Sequence, residues 1–158
     1  MCRRLFFSTK TQLLVLNIEK DIKRKMTEAP IRITAFCCTN AIKSDPVLAE
    51  KGWHAFEPEI KILSIPCSSK VETLSIIKAF ESGADGVFVI GCKEDSCRLL
   101  NGNRRAQRTI DYTKNLLDEI NIETNRLSMI QMGTPEFKDL NHVVRYLTEL
   151  IQSMGKVS

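Results

Sequence analysis

The chain has 158 residues, 43% of them apolar, and a formal net charge of +4. That length suits one compact domain with a core of its own. The charge is uneven: residues 1–25 carry seven basic and two acidic side chains, so residues 26–158 sum to −1 and lack the basic footprint of a nucleic-acid binder.

Residues 1–28 read as a basic N-terminal extension of low structure, or as sequence preceding a second start at Met26. They do not read as a secretory leader. Leu5-Phe6-Phe7 is too short an apolar core, and a polar run from Ser8 to Gln12 follows it. No apolar run reaches membrane-spanning length, so a cytoplasmic protein without a membrane partner is expected. In that compartment six cysteines are not disulfide staples. They are buried small side chains, redox thiols or metal ligands.

From residue 29 onward strands and helices alternate. Ile31–Phe36 reads as a first strand. Residues 45–58, with two prolines, a glycine and Trp53, read as a connection holding at most one short helix. Lys61–Pro66 reads as a second strand. Ser69 with Glu72 three residues on makes a capping-box pattern, so a helix is expected over 70–82, with Val71, Leu74, Ile77 and Phe80 on its buried face and Gly83 as its stop. Gly86–Gly91 is an unbroken apolar run, which marks a central strand covered on both faces. A loop to Gly102 precedes a helix over 104–119 with Ala106, Ile110, Thr113, Leu117 and Ile120 at helical spacing. Leu127–Met132 is the fourth strand. Thr134, with Pro135 behind it, is the expected cap of the last helix, whose face is Phe137, Leu140, Val144, Leu147 and Ile151. The order implies an α/β fold, a small flavodoxin-like or Rossmann-like parallel sheet of about four strands flanked by helices.

The cysteines fall at one kind of position. Cys37 and Cys38 end the first strand, Cys67 follows the second, Cys92 follows the third, and Cys97 lies five residues further along the same loop. Carboxyl ends of parallel strands are where doubly wound sheets place ligands. Any one of these thiols alone is most simply a buried small side chain. Several at equivalent strand ends point to a metal or cluster site. Cys2 stands outside the pattern. Structural zinc favours Cys-x-x-Cys knuckles, and none occurs here. Four thiolates with one Cys-x4-Cys pair suit a [2Fe–2S] cluster better, with zinc as the alternative. His54 and His142, the only histidines, are weak ligand candidates, and His142 reads as a surface residue. No Gly-x-Gly-x-x-Gly fingerprint, Ser-His-Asp set or carboxylate pair stands out, so the chain is not expected to turn over a substrate by itself.

The stretch Gly91-Cys92-Lys-Glu-Asp-Ser-Cys97, continued by Gly102-Asn103, Ala106 and Arg108, resembles the G-C-x4-C-x4-G-N-x2-A-x-R pattern of the delta subunit of methyl-viologen-reducing hydrogenase. Pro66-Cys67-Ser68, the run Ala79–Val87, and Ile122-Glu123 with Arg126-Leu127 are similar to that family too. The resemblance covers about residues 31–154. It implies an iron–sulfur electron-transfer domain over 29–155. It implies a [2Fe–2S] carrier between a hydrogenase, or another donor, and the flavin-containing subunit of heterodisulfide reductase. Carried onto this chain, the ligands would be Cys38, Cys67, Cys92 and Cys97, with Cys37 as the substitute for Cys38. Asn103 and Arg108 would lie around them, and Arg104 and Arg105 read as a solvated helix face. One departure is plain. The family's Cys-x-x-Cys after the first strand falls on Cys38 and Ala41, or on Cys37 and Asn40, so its second cysteine is missing.

Overall fold

The protein is described from a computed structural model, which covers residues 30–43, 45 and 60–157. The basic extension, Cys2, Met26, Trp53 and His54 lie outside the described residues. The chain divides into units Met1–Pro30 and Ile31–Ser158, and the fold below is that of the second.

Four parallel strands form one sheet in the order β2-β1-β3-β4: β1 Ile33–Cys38, β2 Ile60–Ile65, β3 Gly86–Cys92 and β4 Leu127–Met132. Among the described residues the helices are α1 Thr39–Ile42, α2 Thr73–Glu81, α3 Gly102–Glu119 and α4 Leu140–Met154. The expected α/β architecture is thus observed. β1 and β3 are buried along their whole length, as their continuous apolar runs require. At the sheet edges β2 buries only Ile60, and β4 buries Leu127, Ile130 and Met132 with partly open positions between them.

Each face of the sheet has its own core. One face packs Ile33, Ala35 and Cys37 of β1 and Phe88 and Ile90 of β3 against Leu140, Val143, Leu147 and Ile151 of α4. The other packs Phe36, Val87 and Val89 against Ile76 of α2 and Ala106, Ile110 and Leu117 of α3. Side chains alternate across a strand, so consecutive residues serve opposite layers. Among the described residues no helix is long and apolar enough to cross a membrane.

Two helices start later than the sequence pattern suggests. Ser69 does not cap α2. It belongs to a 3-10 turn over Ser68–Lys70, after which Val71 is extended (φ −70°, ψ 126°) and resets the helical phase. The helix begins at Thr73 with Glu72 at its cap. Its buried residue is therefore Ile76, while Leu74 is exposed. Gly83, at φ +91°, ends it as expected. Thr134 likewise does not cap the last helix. Its hydroxyl accepts from the amide of Phe137 at 3.2 Å and donates to the Gln131 carbonyl at 3.2 Å, which makes a local turn. Asp139 is the cap, accepting from the amide of His142 at 3.0 Å and lying 2.8 Å from its Nδ1. His142, half-exposed, is part of that cap. The buried face of α4 then uses Val143, with Val144 only partly covered.

Candidate metal centre

Strand order reverses between β1 and β3, because β2 lies on one side of β1 and β3 on the other. The carboxyl ends of those two strands bring Cys38 and Cys92 together, with their sulfurs 3.9 Å apart. Both are buried, at 1% and 7% exposure. Two thiolates bound at about 2.3 Å to one tetrahedral metal stand about 3.8 Å apart. Cys37, one residue earlier, takes the other face. It is fully buried in the core under α4, and burial, with Cys38 beside it, pushes its thiol up to about 12.

Cys67 and Cys97 meet at the start of α3. A Cβ built on Gly102 would stand 2.6 Å from the Cys67 sulfur and 3.2 Å from the Cys97 sulfur. Only a glycine lets both sulfurs approach the helix backbone this closely. Cys97, half-buried, receives the backbone amides of Asn103, Leu99 and Gly102. Burial raises its thiol, but these amides outweigh that and hold it below its ordinary value of 9.0. The first turn of an 18-residue helix is suited to stabilise a thiolate in this way. Cys92 differs. Burial, then Cys38, push it up to about 11, against the backbone amide of Arg98. The electrostatics are thus graded: the Cys97 end is prepared for negative charge, and the Cys38–Cys92 end is dry.

The surrounding polar groups fix this geometry. The Ser69 hydroxyl donates to the Cys67 sulfur at 3.3 Å, which is the role it plays in place of capping α2. Asn103, 3% exposed, donates its side-chain amide to the carbonyls of Lys93 (3.5 Å) and Glu94 (3.3 Å). It thereby ties α3 to the 3-10 turn Glu94–Ser96, which lies between Cys92 and Cys97. The Pro66 carbonyl accepts from Thr39 Oγ1 at 3.4 Å and Asn40 Nδ2 at 3.3 Å, joining the ends of β1 and β2. Arg108 is exposed on α3, as is Arg105. Arg104 pairs with Glu94 at 3.0 Å, both side chains largely in solvent. Ala41 packs against the core under α4.

Among the described residues no three His, Cys, Asp or Glu side chains gather closely enough to hold a single metal ion. The four sulfurs stand instead as a buried pair at the switch point and a second pair against Gly102. A cavity of about 520 Å³ lies elsewhere, lined by Arg32, Lys61 and Lys78 among others and by none of the cysteines.

Sequence reasoning misses Ser69 as a sulfur partner and Gly102 as a packing residue. The signal for Gly102 is a glycine next to an asparagine, shortly after Cys97. Gly102→Ala is expected to lower stability by about 2 kcal/mol, since overpacking here outweighs the roughly 1 kcal/mol that alanine contributes in a helix. Urea unfolding checks this, and a raised midpoint would refute the close packing.

The profile of the family described as methyl-viologen-reducing hydrogenase, delta subunit, matches residues 33–155. The vhu iron-sulfur subunit of the F420-non-reducing hydrogenase of Methanocaldococcus jannaschii is 30% identical over 123 residues, which are 78% of this chain and 92% of that protein. The vhc iron-sulfur subunit of the corresponding hydrogenase of Methanococcus voltae is 32% identical over 124 residues, 78% of this chain and 86% of that protein. One subunit of the ferredoxin/F(420)H(2)-dependent CoB-CoM heterodisulfide reductase of Methanosarcina acetivorans is 25% identical over 125 residues, which are 79% of this chain but only 16% of that larger protein.

Proposed function

We propose that this chain, which belongs to the family of the methyl-viologen-reducing hydrogenase delta subunit, is an electron-transfer subunit holding one [2Fe–2S] cluster on Cys38, Cys67, Cys92 and Cys97. Its donor would be a hydrogenase or another reductant. Its acceptor would be the flavin-containing subunit of a heterodisulfide-reductase-type complex, in the cytoplasm.

The observation that carries this reading is the 3.9 Å approach of the Cys38 and Cys92 sulfurs at the switch point, with Cys67 and Cys97 packed against Gly102 alongside. Two pairs suit two metals, each held by two thiolates, better than they suit one ion. The relatives are named as iron-sulfur subunits, which favours iron over zinc. The hydrogenase in those names supports the donor. A like segment making up 16% of a heterodisulfide reductase polypeptide supports the acceptor, because in that protein such a domain is built into the reductase itself.

A bound cluster supplies one-electron chemistry at a potential set by hydrogen bonds, charge and solvent access. The residues of this chain set those three. The Ser69 hydroxyl donates to the Cys67 sulfur, and the amides of Leu99, Gly102 and Asn103 donate to the Cys97 sulfur and favour its charged form. The burial of Cys38, Cys67 and Cys92 keeps water away. Asn103 holds the loop in register. No proton transfer is asked of any side chain.

Anaerobic purification followed by iron, acid-labile sulfide and visible absorbance measurements tests the proposal. Two irons and two sulfides per chain are expected. A colourless protein with one zinc would replace the carrier by a structural metal site in an assembly component.

A further inference from the structure

We propose that the loop tip Leu99-Leu100, with the cations around it, is the surface on which the protein redox partner docks, and that the partner offers an apolar socket ringed by carboxylates. This rests on the electron-transfer reading above and names the contact that reading needs.

The tip is unfavourable for the isolated chain in two ways. Leu99 is 59% exposed and Leu100 84%. Neither belongs to a core cluster among the described residues. Leu100 also sits at φ +57°, in the left-handed region that a leucine rarely adopts. The fold gains no packing from placing a bulky apolar side chain there. A strained backbone that presents such a side chain to water is explained by a surface that later covers it.

Position ties the tip to the thiols. The Leu100 amide donates to the Cys97 carbonyl at 3.0 Å, and the Asn101 amide to the Leu99 carbonyl at 2.6 Å. Cys97 is the one thiol of the proposed four that is not buried. A partner covering Leu99 and Leu100 would therefore lie against the most accessible ligand.

Charge states what the partner is like. Residues 93–108 hold five basic and two acidic side chains, although residues 26–158 sum to −1. Glu94 is taken up by Arg104. Arg98 and Arg105 are exposed, with no ion pair among the described residues. A convex apolar tip with a positive rim fits a concave apolar site with a negative rim, and such pairing steers encounter between redox proteins.

The test uses the full chain purified anaerobically. The probe is a purified flavin-containing subunit of heterodisulfide-reductase type. Leu100→Gly removes the side chain and relieves the backbone. It should raise Tm by about 2–4 °C, leave iron content and visible absorbance unchanged, and weaken binding of the probe about tenfold or more. Arg98→Glu with Arg105→Glu should weaken it further and flatten its salt dependence. Unchanged affinity in Leu100→Gly would overturn the proposal, as would failure of the unaltered chain to bind the probe. A chain without iron that still binds through Leu100 would sink the carrier reading while supporting this surface as an assembly contact.

Discussion

Replacing Cys38 by serine is expected to strip iron from the purified protein, whereas Cys37→Ala leaves iron content and absorbance intact. The two residues are neighbours in sequence and equal in type, and pleating alone separates them. Cys38 stands 3.9 Å from Cys92 at the strand ends, while Cys37 is enclosed in the core beneath α4. Neither Asn40 nor Ala41, the residues three positions after Cys37 and Cys38, offers a thiol in their place. Serine at position 38 substitutes a hydroxyl for the soft thiolate that iron–sulfur clusters require. Cys37→Ala removes one buried sulfur and leaves a small cavity, for a loss of about 1 kcal/mol. Iron analysis and urea unfolding of the two variants separate these effects. Loss of iron from Cys37→Ala, with full occupancy in Cys38→Ser, would reverse the assignment.

That pair also shows where the sequence is legible. Strand ends are readable because the runs 33–38 and 86–92 are apolar almost throughout, which only central strands of a covered sheet tolerate. The gathering of Cys38, Cys67, Cys92 and Cys97 at one edge follows from strand direction. The choice between Cys37 and Cys38 does not, because both faces of a central strand are apolar and parity alone cannot say which layer a residue meets. The helix starts are misplaced by sequence for a related reason. Ser69 and Thr134 carry the right side chains for caps, but each hydroxyl is spent locally, on the Cys67 sulfur and on the Phe137 amide. Capping patterns are read from residue type and spacing, and a competing partner two or three residues away takes the same oxygen. Arg108 illustrates the opposite case: it matches the family pattern, yet lies exposed on α3.

Arg126 stands out in the sequence only as part of a family-like stretch, and its weight is visible in the fold. It is 4% exposed and donates to four backbone carbonyls: Asp85 at 3.0 Å, Gly155 at 2.7 Å, Met154 at 3.2 Å and Lys156 at 3.4 Å. Its Nε also reaches Glu123 Oε2 at 2.8 Å, but that carboxylate is 60% exposed and contributes little. Asp85 completes the clamp, accepting from the amides of Arg32 at 2.9 Å and Val157 at 3.2 Å. The C-terminal end of α4 is thereby fastened beside the amino ends of β3 and β4. Arg126→Ala leaves those carbonyls without their donor and is expected to cost about 3 kcal/mol, lowering Tm by on the order of 10 °C. Lysine should recover only a fraction, since one ammonium cannot reproduce the guanidinium fork. The cysteines stand at the opposite, carboxyl ends of the strands, so iron content at low temperature should not change. Calorimetry and iron analysis of the same sample check both halves. An unchanged Tm would refute the clamp, and iron lost from a still-folded variant would show that the two ends of the sheet are coupled.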